Sequence, residues 1–168
     1  MQLKIDFKHP KYSNDELSKS ILNILNENKL CSIATVNADG TSYINTAYFC
    51  FDEKLNFYIL TDPNSQHCKN IEINNSVAMT VFDSHQPWDD DLQGLQINGK
   101  CKMAKGMHLI NGTTRYLKRF AGLSELIKHP DDFAKGALKS RIYIIETNWI
   151  KLFDEKTFGE ETYINLKY

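Results

Sequence analysis

Between residues 31 and 60 three strand-like apolar runs follow one another with only turn-length breaks: CSIATV, then NADG, then TSYINTAYFCF, then DEK, then LNFYIL. Connections this short join antiparallel neighbours, because a parallel crossover needs a dozen residues or more. Asn37-Ala38-Asp39-Gly40 is a hairpin turn signal, and Asp52-Glu53-Lys54 turns the chain again. This part of the chain therefore reads as an antiparallel meander. Val77–Phe82 is a fourth strand and Leu92–Lys105 a long fifth, in which Gly94 and Gly99 predict a bulge or a close backbone approach. Arg141–Glu146 is strand-like, and Trp149–Phe153 continues it after a bend.

Helical patterns are fewer. Ser13 and Glu16 have capping-box spacing ahead of a stripe of Leu17, Ile21, Ile24 and Leu25, predicting a helix that ends near Asn28. Ser65–Ile73 reads as a short helix closed by Asn74-Asn75. Met107–Phe120 reads as a longer one, and another helix is predicted to begin at Pro130-Asp131-Asp132. Strands in hairpin order with helices between them give a mainly β fold with peripheral α-helices, a small barrel. The expected organisation is one domain: an N-terminal helix over 13–29, a barrel core over 30–106, a helical insertion over 107–138 and closing strands over 139–168.

At 168 residues, 42% hydrophobic and 24% charged, the chain can bury a sizeable core without staples. The net charge of −1, from 20 basic and 21 acidic residues, argues against a general nucleic-acid binder. No apolar stretch approaches the roughly 18–20 residues of a membrane helix, and MQLKIDFKHPKYSND has no apolar core of a signal peptide. The expectation is a cytoplasmic protein with no nucleic-acid or membrane partner, in which the sequon at Asn111-Gly112-Thr113 carries no meaning. Cys31, Cys50, Cys68 and Cys101 form no C-x-x-C pair, and three lie in apolar runs where cysteine behaves as a small buried hydrophobe.

Phosphate-loop, dinucleotide, zinc-protease and nucleophile-elbow motifs are missing from the sequence. His85 with Asp89, Asp90 and Asp91 reads as a solvated loop rather than a metal site, so no metal is expected. Trp88 on that loop either covers a ligand or caps the core. Arg115, Lys118 and Arg119, at i, i+3 and i+4, read as a solvated basic helix face. The remaining candidate is NFYILTDPNSQHCKNIEINN, residues 56–75, where a strand runs through a polar turn into a helix. A helix N-terminus presents unpaired N–H groups and a positive dipole end. With the Ser65 hydroxyl and the cationic candidates His67 and Lys69 it makes an anion site suited to phosphate; otherwise Ser65 simply caps the helix.

The run SIATVNADGTSYINTAYFCFDEKLNFYILTDPNSQHCKNIEINNSVAMTVFD, followed by GLQINGKCKMA, resembles the pyridoxamine 5'-phosphate oxidase-like FMN-binding split-barrel superfamily. The likeness lies in a strand ending in A-T-x that turns through D-G into a flavin-facing strand, a strand ending in F-Y-x-x-T, an S-x-K-like turn and N-[LI]-x-x-N. It covers about residues 31–105, and RIYIIETNWIKLFD extends it as the closing strand. The resemblance implies a six-stranded antiparallel split β-barrel, a homodimer with FMN in the interface, and a small-molecule substrate. Carried over by position, Asn45, Thr46, Ala47 and Tyr48 line the isoalloxazine ring, and Thr61 contacts phosphate or ribityl. Ser65, Gln66 and His67 form the phosphate turn with Lys69 just beyond, and Gln96 reaches the partner's flavin. Phe153 falls near an aromatic position beside the cofactor.

The oxidase has arginine and lysine where this chain has Asn45, Cys50, Gln66 and His67. Two lost charge-assisted hydrogen bonds cost about 3–6 kcal/mol, so weaker phosphate binding is expected. Residues to grip a pyridoxamine phosphate are also not apparent, which points to a different substrate. The function expected is an FMN-dependent oxidoreductase with no assigned catalytic side chain. The alternative on the same fold is a binding or carrier dimer for flavin, a deazaflavin or haem.

Overall fold

Six strands pair antiparallel in the order β3-β2-β1-β4-β5-β6 in the computed structural model, which describes residues 1–122 and 139–167. They are β1 (Leu30–Val36), β2 (Ser42–Phe51), β3 (Phe57–Thr61), β4 (Ser76–Phe82), β5 (Gln93–Met103) and β6 (Arg141–Asp154). A further pairing of β3 with β6 closes the ring into a barrel. A seventh strand, β7 (Tyr163–Lys167), adds to the free stretch of β6. The helices are α1 (Asn14–Glu27), α2 (Gln66–Ile73), α3 (Met107–Arg119) and the single turn α4 (Glu155–Phe158). The helix expected from Pro130 lies outside the described residues. Among the described residues no helix is long and apolar enough to cross a membrane.

Alternation along the strands sends one set of side chains inward. Ile33, Phe49, Phe57, Ile59, Val81, Leu95, Ile97, Ile145 and Leu152 fill the barrel together with Leu17, Ile21 and Leu25 of α1. Each such side chain contributes about 1.5–3 kcal/mol by leaving water. The capping box at the start of α1 is present, with the Ser13 hydroxyl accepting from the Glu16 N–H and the Glu16 carboxylate accepting from the Ser13 N–H at 2.8 Å. β3 starts at Phe57, two residues later than its apolar pattern suggests. The buried Asp52 carboxylate gathers the N–H groups of Lys54 and Asn56 and the Tyr58 hydroxyl, and holds Leu55 at a φ of 55° within the turn.

Both predicted glycine effects occur. At Gly99 the β5–β6 register slips so that Asn148 bulges out, and a Cβ there would meet the Glu146 carbonyl oxygen at 2.5 Å. At Gly94 a Cβ would strike the Phe153 ring at 2.6 Å; Phe153 lies across that glycine on the outer face. The basic face expected on α3 is not solvated as expected. Arg119 donates through Nη2 to the carbonyls of Leu25 and Asn28 at the end of α1, and its guanidinium lies over the Phe49 and Phe51 rings at 5.0 and 5.4 Å. Arg115 pairs with Glu53, and only Lys118 is exposed. Helix termini offer unpaired carbonyls, and α1 has no basic residue in its last turn, so Arg119 supplies that charge from elsewhere in the chain.

The β2–β3 ladder is short. It runs from Phe51–Phe57 to Phe49–Ile59 and stops. Beyond that point β2 stays with β1 as far as Ser42, while β3 stays with β6 as far as Thr61. The two strands part, and α2 begins just past the parting.

Candidate functional site

The turn Asp62-Pro63-Asn64-Ser65 carries the chain from β3 into α2. The Asp62 side chain accepts from the Asn64 N–H at 2.8 Å, and its carbonyl accepts from the Ser65 N–H at 3.0 Å. Ser65 occupies the N-cap but its hydroxyl makes no cap hydrogen bond. It turns instead to His67 Nε2 at 3.0 Å, and Thr61 Oγ1 meets the same nitrogen at 2.6 Å. The first-turn N–H groups of α2 are thus left without a side-chain acceptor, the condition for binding an anion there.

Thr61, Ser65 and His67 are therefore brought together as expected, but His67 is not the cation that the sequence suggested. It is buried, and burial lowers its pKa from 6.5, so the imidazole is neutral near pH 7. Gln66 is turned aside, donating from Nε2 to Asn70 Oδ1 at 2.9 Å. Lys69 is exposed and without an ion-pair partner among the described residues, the one ready positive charge at this turn.

Asn70 is the site residue that the sequence did not single out. It is 1% exposed, and its Nδ2 donates to Thr35 Oγ1 at 3.0 Å and Asn37 Oδ1 at 2.8 Å. It therefore pins α2 to the β1–β2 hairpin. The N-[LI]-x-x-N pattern contains it, but an asparagine in a helix closes as well as pins, and nothing local tells the two apart.

Along β2, Asn45 and Ala47 face inward beside the parting and Thr46 and Tyr48 face out. The Asn45 side-chain oxygen is buried with no hydrogen-bond partner among the described residues. An unpaired buried acceptor carries a desolvation penalty of about 1–3 kcal/mol, which a ligand hydroxyl or N–H would relieve. Gln96 is on the outer face, in the transverse row Thr46–Ser32–Thr80–Gln96. Three strand spacings, roughly 14 Å, separate it from Thr46, so one copy of the chain does not bring Gln96 to the α2 turn. On that outer face a groove of about 320 Å³ runs over Ser32, Ala34, Ala78 and Thr80 between Ile44 and Trp149.

The other candidates resolve plainly. Trp88 is fully exposed and does not cap the core. His85 pairs with Asp83, and no group of metal-binding side chains occurs among the described residues. All four cysteines are free and buried, and burial pushes Cys31 and Cys101 up to about 12.

The model of the pyridoxamine 5'-phosphate oxidase family matches residues 17–148, which takes in the barrel, the parting and the α2 turn. The chain belongs to this family. None of the curated proteins matches it in sequence. Among solved structures it is similar to a haem-binding protein from Mycobacterium smegmatis, at 10% identity and a TM-score of 0.69, covering 95% of this chain and 60% of that one. It is similar to HutZ, the haem storage protein from Vibrio cholerae, at 15% identity, TM-score 0.60, 89% and 94% coverage. A Clostridium acetobutylicum protein of the pyridoxinephosphate oxidase family, related to general stress protein 26 of B. subtilis, gives 13% identity, TM-score 0.61, and 88% and 91% coverage. These likenesses carry the split-barrel fold. At the α2 turn of this chain Thr61 and Ser65 supply hydroxyls, and Lys69 the ready positive charge.

Proposed function

We propose that the chain binds FMN at the parting of β2 and β3 and acts as an FMN-dependent oxidoreductase on a small molecule, working as a homodimer. The observation that carries this reading is the uncapped helix N-terminus with the Thr61 and Ser65 hydroxyls beside it, together with the unpaired Asn45 oxygen on β2. The phosphate would take the first-turn N–H groups of α2, with Ser65, Thr61 and Lys69; Gln66 and His67 complete the wall. The Asn45, Thr46, Ala47 and Tyr48 stretch of β2 would border the ring, partly through its backbone groups, and Gln96 would come from the second copy. FMN supplies hydride chemistry at its ring, and the protein supplies binding, orientation and water exclusion.

The homodimer is supported by the outer sheet face. Small residues at its centre, Ser32, Ala34, Ala78 and Thr80, allow close approach. Ile44, Phe82 and Tyr163 stand exposed around them at 67%, 47% and 50%. Titrating the purified protein with FMN while following flavin fluorescence tests the reading; a saturable change is expected. Oxidation of a reduced nicotinamide by the loaded protein then separates an enzyme from a carrier.

The haem-protein neighbours support a second reading, a haem carrier on the same fold. His67 is poorly placed for it, since Nε2 is already held by two hydroxyls. A haem titration followed in the visible range distinguishes the readings.

A further inference from the structure

At the parting of β2 and β3, α3 places a side chain against both strands. Asp52 N–H donates to Asn56 C=O at 3.0 Å, which fixes the alternation of this antiparallel ladder. Counting two residues at a time, Cys50–Tyr58 and then Tyr48–Leu60 are the next hydrogen-bonded pairs. The last paired residues are Phe49 and Ile59, so Tyr48 and Leu60 stand at the end of the ladder. The Tyr116 hydroxyl stands in that place: the Leu60 N–H donates to it at 3.0 Å, and it donates in turn to the Tyr48 carbonyl. One phenol oxygen is thus bonded to both strands at the end of their ladder. Tyr116 is 3% exposed, and burial pushes its phenol up, so it stays protonated and able to donate.

The helix that carries the phenol is built to approach this closely. Gly112, one turn before Tyr116 on the same face, lies against Tyr58 of β3 and Ile142 of β6. A Cβ there would sit 2.7 Å from the Tyr58 ring and 2.9 Å from Ile142 Cγ2. Thr61, whose hydroxyl holds His67, follows Leu60 directly, and Asn45 and Ala47 lie just before Tyr48.

We infer that Tyr116 is a positioning residue that keeps the β2–β3 split open, so that the two walls of the cofactor cradle stand apart at a fixed spacing. The inference rests on the FMN reading for its functional consequence but not for its geometry. Tyr116→Phe keeps the ring and its packing and removes only the bridging oxygen. It leaves the Leu60 N–H and Tyr48 C=O either unpaired or free to pair directly and close the split.

Two measurements test this. Amide hydrogen exchange on the unaltered chain is expected to show Leu60 protected, although it lies past the end of the β2–β3 ladder; exchange there at the rate of an exposed loop overturns the wedge without any variant. In Tyr116→Phe, FMN affinity is expected to fall at least tenfold and the Leu60 exchange rate to change, with the circular dichroism unchanged. Affinity within twofold of the unaltered chain overturns the positioning role. Gly112→Ala retains the phenol but pushes the helix outward, and is expected to reproduce the loss. A chain that binds no flavin yet protects Leu60 loses the cofactor reading and retains the wedge; flavin binding with Leu60 unprotected does the reverse.

Discussion

The imidazole of His67 has two hydroxyls on one nitrogen and little water around it, which gives it a pH signature. Its folded pKa lies below 6.5 because burial penalises the charged form. The unfolded chain therefore binds the extra proton first, and its contribution to stability is lost as pH falls through about 6.5 toward the folded value. Urea unfolding of the unaltered chain is expected to show a midpoint that drops between pH 7.5 and 5.5. His67→Gln should flatten that part of the profile, and an unchanged slope would assign it to another group. At the same turn, Lys69→Ala is expected to weaken FMN binding by about 1 kcal/mol or more, read by fluorescence titration, if its ammonium meets phosphate. The hydroxyls, His67 and Lys69 were all legible in the sequence as a group. The neutrality of His67 was not, because it depends on burial by elements distant in the chain.

At the scale of elements, α3 does two things that its own sequence did not announce. Its spacing of Arg115, Lys118 and Arg119 looks like a solvated face, yet Arg119 completes the end of α1 and covers two phenylalanine rings. Arg119→Ala is expected to cost about 1–3 kcal/mol of stability, measured by the urea midpoint, with less effect from Lys118→Ala on the exposed side. The strands were more readable, since period-two alternation and turn residues are local signals. Their order in the meander, the helix after β3 and the two glycine irregularities in β5 could all be read from neighbours within a few residues. What could not be read is any contact that closes over long sequence separation. The pairing of β3 with β6, the Asn70 link to Thr35 and the Tyr116 bridge each join residues at least 35 positions apart.

For the whole molecule, the barrel buries every thiol and leaves an outer face of small residues with Ile44, Phe82 and Tyr163 exposed around them. A thiol reagent is expected to label none of the four cysteines in the native protein and all four after denaturation; native labelling of any one would mean that its surroundings open. The outer face is expected to pair two copies, and Ala78→Arg at its centre should shift the protein to monomer in sedimentation, with flavin binding falling in parallel. The proposed cofactor would account together for the parted strands, the uncapped α2 and the unpaired Asn45 oxygen. FMN titration of the purified full chain, followed by flavin fluorescence, tests that account most directly. Saturable binding approaching one FMN per chain, weakened by Lys69→Ala and Tyr116→Phe, is the predicted result. No saturable signal at any FMN concentration would contradict it.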